Sequence, residues 1–299
     1  MQQAQNIIKS NSTFCIIGLG LMGGSYAMAL AKQGHSVLAV DTNEESMQWA
    51  IQHGLITEGV SSKDAAAVKN LLQKADCVIL ALYPSAMLPW FEQYAGHIMP
   101  GTFVTDLAGV KSMLVPAAEL LLGDHVLYAS THPMAGREAS GVQNANCAIF
   151  EGANYIVIPT QKTQPAALQY AEELGKLLGF GNIMHLSALE HDEMIGYVSQ
   201  LTHAIAVCLM NANDDPRLPD VTGDSFRDLT RIADINAELW SELFLQNKEA
   251  LGVEIETFTA QLTQLNTALQ TNDKHTLEQM FRQSTTRRRQ FGRKPPHKI

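Results

Sequence analysis

From residue 13 to about residue 186, short apolar runs alternate with longer stretches of helical periodicity. The runs are FCIIG, VLAVD, CVILAL, FVTDL, VLYAST, YIVIP and NIMHL; between them lie segments such as LMGGSYAMALAKQG, NEESMQWAIQHG and QPAALQYAEELGKLLG, which close on glycine. Continuous apolar strands separated by such helices predict a parallel sheet buried on both faces, the doubly wound α/β arrangement. Past Leu186 the strand-like runs cease. SALEHDEMIGYVSQLTHAIAVCLMNAN carries apolar residues at helical spacing over about 25 positions. The loop DDPRLPDVTG and three further helical stretches follow. The pattern therefore predicts a mixed α/β domain over residues 1–186 and an all-helical domain over residues 187–299.

The first strand leads into Gly18-Leu19-Gly20-Leu21-Met22-Gly23, and this GxGxxG opens the first helix. Gly18 permits the tight turn, Gly20 lets a pyrophosphate approach the backbone, and Gly23 lets helix and strand pack closely. The second strand ends at Asp41, eighteen residues past Gly23, where a carboxylate meets the ribose hydroxyls of a dinucleotide. The combination specifies a Rossmann dinucleotide-binding domain. Asp41 favours NAD over NADP, because a carboxylate repels a 2′-phosphate and DTNEE brings no Arg or Lys.

Ligands of an open α/β sheet lie outside the carboxyl ends of its strands. Three places qualify: Leu82, Tyr83 and Pro84 after the third strand; Asp106 to Lys111 after the fourth; and His132, expected just beyond VLYAST in the run THPMAGRE. Leu82, Tyr83 and Asp106 are candidate cofactor contacts. A neutral imidazole beside a nicotinamide can accept the proton of a carbinol whose hydride leaves, so His132 is a candidate base. The residues alone leave it open whether His132 is that base or only bonds the loop backbone. No metal is expected, because His125 lies on the far side of the strand and there is no HxH or HxxxH. Lys111 and Arg137 are candidate grips for a substrate carboxylate, or solvated loop charges.

Charge narrows the partners. The net charge is −9, yet the last 18 residues hold seven Lys or Arg and no acid, leaving −16 on the remainder. An acidic body repels a phosphate backbone, so nucleic acid is not the expected partner, and the basic end reads as a solvated terminus. The polar start MQQAQNIIKSNS lacks a signal-peptide pattern, and no apolar run approaches the ~18 residues of a membrane span. The four cysteines show no CxxC spacing. A cytoplasmic protein is the expectation.

With GLGLMGGS, THPMAGRE and FRDLTRIA together, and with the D-x-x-x-V-K run at Asp106 to Lys111, the sequence resembles the prephenate dehydrogenase family, which includes arogenate dehydrogenases. The resemblance covers roughly residues 13 to 290. It implies NAD-dependent oxidative decarboxylation of prephenate to 4-hydroxyphenylpyruvate in tyrosine biosynthesis, with arogenate as the alternative substrate. It places the family's catalytic histidine on His132 and its substrate-binding arginine on Arg231, which otherwise pairs with Asp228 or Asp234. It also matches His203 and Trp240 to the substrate site, although both suit core packing. The family often carries a serine at the position of Gly109 that helps orient the catalytic histidine; this chain has no side chain there, and Ser112, Ser130 or a water are the candidate substitutes. The family position that tends to be acidic in arogenate enzymes falls on Arg137, which favours prephenate, while Glu138 beside it keeps arogenate open. The helical part resembles a dimerisation domain, so a homodimer is expected. Two rivals are a β-hydroxyacid dehydrogenase, which requires a lysine that SALEHDEMIGYVSQLTH lacks, and a non-catalytic NAD-binding sensor.

Overall fold

The computed structural model describes residues 6–137 and 139–291. Six strands and their connecting helices follow in turn: β1 (Thr13–Ile17), α1 (Leu21–Lys32), β2 (Ser36–Asp41), α2 (Glu44–Gln52), β3 (Glu58–Ser61), α3 (Ala65–Leu72), β4 (Cys77–Leu80), α4 (Pro84–Tyr94), β5 (Phe103–Asp106), α5 (Leu114–Leu122) and β6 (Leu127–Tyr128). They build one parallel sheet of order β3-β2-β1-β4-β5-β6. Alternate residues of each strand enter opposite cores. Phe14, Ile16 and Ile79 pack with Tyr26 and Leu30 on one face; Cys15, Ile17 and Leu80 pack with Val40 and Phe91 on the other. Strand order reverses between β1 and β4, which creates the crevice where ligands of such sheets bind.

The sheet differs from the sequence expectation in two places. β3 is a short, half-buried edge strand, EGVS, with too few apolar residues to show as a run. The run VLYAST is split: Ala129 N still bonds to Val104 O, but from Ser130 the chain enters a second sheet, β7 (Ser130–Met134), β8 (Asn154–Ile158) and β9 (Asn182–His185), with α6 (Pro165–Leu177) before β9. β8 runs antiparallel to β7, and β9 parallel to β8. Among the described residues between β7 and β8 lie short 3-10 turns, Val142–Asn144 and Cys147–Phe150, and no crossover helix, and the chain returns antiparallel.

The helical part is α7 (Ala188–Ile195), a π-helical turn (Gly196–Leu201), α8 (Thr202–Asn211), α9 (Leu218–Val221), α10 (Asp224–Thr230), a 3-10 turn (Arg231–Ala233), α11 (Ala237–Gln246), α12 (Lys248–Gln270) and α13 (Lys274–Arg288). A capping box between Ser187 and Glu190 fixes where α7 starts. Strands end at His185, close to the expected boundary, but the chain's compact units are Met1–Lys248 and Glu249–Ile299. α7 to α11 belong to the first unit because their polar groups are tied to the sheet loops: Asp192 to Lys111 N and Ser112 N, and Glu242 to Ser85 N and Oγ. In the second unit, α12 and α13 flank a groove of about 740 Å³, lined by Ile255, Ala260 and the threonine column Thr259, Thr263 and Thr267. The basic end from residue 292 lies outside the described residues.

Candidate active site

At the end of β1 the glycines divide their tasks as the motif requires. Gly18 has φ +97°, and a Cβ there would lie 2.5 Å from Ala81 O, so only glycine passes beneath the end of β4. A Cβ on Gly23 would lie 1.9 Å from Gly18 O. Gly20 faces open space, with nothing within 4 Å of a Cβ position, and it begins α1 without a side-chain cap. First-turn N–H groups of α1 are thus left to an anion in that space. Leu21 and Met22, half-buried, form the rest of this turn. Leu19 buries its side chain in the core and donates its N–H to Asp41 Oδ2, while Asn43 N donates to Asp41 Oδ1 at 2.7 Å. Asp41 therefore braces the loop from β2 and retains lone pairs for ribose hydroxyls. Leu82 approaches Gly18 from the end of β4, and the Tyr83 hydroxyl accepts from Asn236 Nδ2 at 3.0 Å. This donor set fits a dinucleotide.

His132 is not beyond a strand end. It is the central residue of β7, opposite Ile156, with its ring half-buried. Its Nδ1 lies 2.7 Å from His191 Nε2, and His191 Nδ1 lies 2.7 Å from Asp192 Oδ1. Burial holds the His132 imidazole well below its usual 6.5, and the neighbouring His191 and the Lys111 cation push the same way. His191, fully buried, is also lowered, chiefly by burial, against the pull of Asp192. Burial by itself would raise the Asp192 carboxyl, but hydrogen bonds from His191, Ser112 and Lys111 outweigh it and leave it below the usual carboxylate range. At neutral pH the arrangement is two neutral imidazoles in line with one carboxylate. Among the described residues His132 Nε2 has no partner, so it is open to a substrate group.

Two expected ligand contacts are corrected. Lys111 is completely buried; its Nζ donates to Asp106 Oδ1 at 2.7 Å and to Thr131 O at 2.8 Å. It cannot grip a substrate carboxylate, because its ammonium is enclosed and already paired. Asp106 is equally buried and also accepts from Tyr128 OH and Ala108 N, so its carboxylate is spent inside the protein and not on the cofactor. Desolvation lowers the Lys111 pKa, and the Asp106 charge opposes that shift. The pair ties β5, the following loop and the backbone next to His132 into one unit.

On the helical side His203 and Trp240 come together. His203 Nδ1 is 2.9 Å from Ser199 O, and its ring stacks on Trp240 with centroids 3.6 Å apart. Arg231, exposed, begins the 3-10 turn that packs against α8. His191 and His203 are twelve residues apart, which in an uninterrupted α-helix would set them about 120° apart around the axis. The π turn between them absorbs one extra residue and reduces that angle to about 20°. Arg137 is exposed in the loop after β7, and Glu138 lies outside the described residues.

Sequence reasoning missed His191, Asp192, Gln200 and Asn247. Asn247 Nδ2 donates to Asp192 O and to Gln200 Oε1, and Gln200 Nε2 donates to Leu243 O. The available signal was the His-Asp dipeptide in the middle of the helix that follows the last strand. At Gly109 a Cβ would lie 3.0 Å from Leu243 Cδ2. No group of three or more His, Cys, Asp or Glu among the described residues is arranged to hold a metal.

Known proteins are similar to this chain over most of its length. The family model for the prephenate dehydrogenase nucleotide-binding domain matches residues 26–182, and that for the prephenate dehydrogenase dimerization domain matches residues 187–283. A prephenate dehydrogenase of Lactococcus lactis is 32% identical over 275 residues, covering 89% of this chain and 73% of that protein. The crystal structure of a prephenate dehydrogenase from A. aeolicus, in complex with hydroxyphenyl propionate and NAD+, superposes with a TM-score of 0.85 at 29% identity, covering 94% of this chain and 98% of that one. An arogenate dehydrogenase from Synechocystis superposes with a TM-score of 0.77 at 26% identity, covering 94% and 100%.

Proposed function

The chain belongs to the prephenate dehydrogenase family, and on that premise we propose that it converts prephenate to 4-hydroxyphenylpyruvate by NAD-dependent oxidative decarboxylation. The observation that carries the mechanism is His132: half-buried, held neutral, bonded through Nδ1 to His191, and bare at Nε2.

Bound NAD supplies the hydride acceptor. It would be held by the N–H groups at Gly20 to Gly23, by Asp41 on the adenosine ribose, and by Leu82 and Tyr83 at the end of β4. His132 Nε2 accepts the proton of the ring 4-hydroxyl as hydride leaves the same carbon; loss of the ring carboxylate as CO₂ completes aromatisation, and the resulting phenolate takes the proton back from His132. The low pKa of His132 keeps that acceptor unprotonated at neutral pH and below it. Arg231 binds one of the two substrate carboxylates through its planar guanidinium, with His203 and Trp240 shaping the same end of the site. Asp106 and Lys111 do not touch the ligands; they hold the strand that carries His132.

Arg137 supports prephenate over arogenate, since a cation in the loop after β7 repels the arogenate ammonium. The absence of lysine from residues 187–203 argues against β-hydroxyacid chemistry. The chain carries the family's dimerization domain and acts as a homodimer, which would cover the exposed Val253, Ile255, Leu262, Leu269 and Phe281. The cytoplasm is the compartment that suits this reaction, and the four cysteines are free, as a reducing environment requires. No helix among the described residues is long and apolar enough to cross a membrane.

The test is steady-state turnover of the purified protein with NAD and prephenate, arogenate or a β-hydroxyacid, followed by absorbance of the reduced cofactor. Prephenate is expected to give the highest kcat/KM. Preference for arogenate would overturn the role given to Arg137, and silence with all three would identify a non-catalytic NAD-binding protein.

A further inference from the structure

We propose that His191, backed by Asp192, is the positioning residue of this site: it holds His132 in the tautomer whose Nε2 is bare, and so does from the helical side what no side chain at position 109 can do. The inference rests on the reading of His132 as the base. It follows from the order of donors and acceptors along the line. Asp192 accepts from Lys111 N at 2.8 Å, from Ser112 N at 2.7 Å and from His191 Nδ1 at 2.7 Å. An ionised carboxylate only accepts, so the proton between them sits on His191 Nδ1. Burial keeps His191 neutral, and its Nε2 is therefore a lone pair. The 2.7 Å contact to His132 Nδ1 then requires a proton on that nitrogen, which leaves His132 Nε2 as the free acceptor.

The line is held at both ends. Asn247 and Gln200 bind the backbone of Asp192 to α11 and the π turn. Lys111 binds the Thr131 carbonyl next to His132. Gly109 itself offers His132 no side chain, and Leu243 lies 3.0 Å from the Cβ position there. The base is therefore set only when α7 is packed on the loop after β5 and on β7.

The experiment is nitrogen NMR of histidine-labelled protein, with the His132 signals identified by their loss in His132→Asn. Two variants accompany it, His191→Leu, which offers no acceptor, and His191→Gln, whose amide oxygen does. The native protein is expected to show His132 protonated at Nδ1 and bare at Nε2. His191→Leu should shift His132 toward the other tautomer and lower kcat about 10²-fold, with KM for prephenate and NAD affinity held within about threefold. His191→Gln should keep the native tautomer and recover most of the turnover. A native His132 protonated at Nε2, or native kcat in His191→Leu, would overturn the proposal. The tautomer of the native protein is read without turnover, so failure of the prephenate reading would show separately, as a native enzyme inert toward that substrate.

Discussion

Replacing Lys111 with methionine separates two roles that the sequence left open. The methionine fills most of the same volume but removes a fully buried ammonium, leaving Asp106 equally buried with only Tyr128 OH and Ala108 N as donors. Breaking one side of a buried ion pair costs about 3–5 kcal/mol, because the remaining charge has neither water nor counter-ion. In a unit the size of Met1–Lys248, 1 kcal/mol moves the melting midpoint by about 2–4 °C, so Lys111→Met should lower Tm by about 6–20 °C. Lys111 also contributes to the depressed pKa of His132, so its removal should move the acid limb of turnover upward in pH. The assay pairs calorimetry with steady-state kinetics below the lowered midpoint. KM for prephenate should stay near the native value, and Lys111→Met with Asp106→Asn should melt above Lys111→Met alone. A Tm unchanged within error, together with a KM raised tenfold or more, would refute the buried strut and restore Lys111 as a substrate grip.

Other outcomes follow from the same geometry. Gly23→Ala pushes a Cβ to 1.9 Å from Gly18 O, so the loop must shift; calorimetric titration should show NAD affinity reduced at least about tenfold, and native affinity would contradict the close-packing role. The pKa of His132 lies well below 6.5, so protonation inactivates the base only in acid, and kcat should be flat through neutrality and fall with a midpoint below pH 6.5. A midpoint above 6.5 would contradict the desolvated site. Arg137→Glu should lower the prephenate to arogenate ratio of kcat/KM by about tenfold or more, read from parallel progress curves; an unchanged ratio removes Arg137 from specificity.

What the sequence made legible was what lies close along the chain. The first strand, its glycine turn, α1 and Asp41 fall within one βαβ unit, and the close packing expected at Gly18 and Gly23 and the open space at Gly20 follow from local backbone geometry. Partnerships across long separations were not legible. His132 and His191 are 59 positions apart and meet only because β7 leaves the main sheet and α7 packs beside it, two turns of topology without a local signature. The same holds for the antiparallel pairing of β7 with β8. Lys111 was misassigned for a related reason: a lysine after a strand end reads as a ligand contact unless the burial of its ammonium against Asp106 is known. The π turn is invisible to periodicity because one inserted residue within some 25 leaves the apolar spacing nearly helical.

The central claim is that His132 Nε2 receives the 4-hydroxyl proton as hydride leaves the substrate. Single-turnover reduction of bound NAD by saturating prephenate, compared between the native protein and His132→Asn, tests it most directly. The expected result is an unchanged NAD dissociation constant with the hydride-transfer step slowed by about 10²–10⁴. Equal single-turnover rates in the two proteins would contradict it.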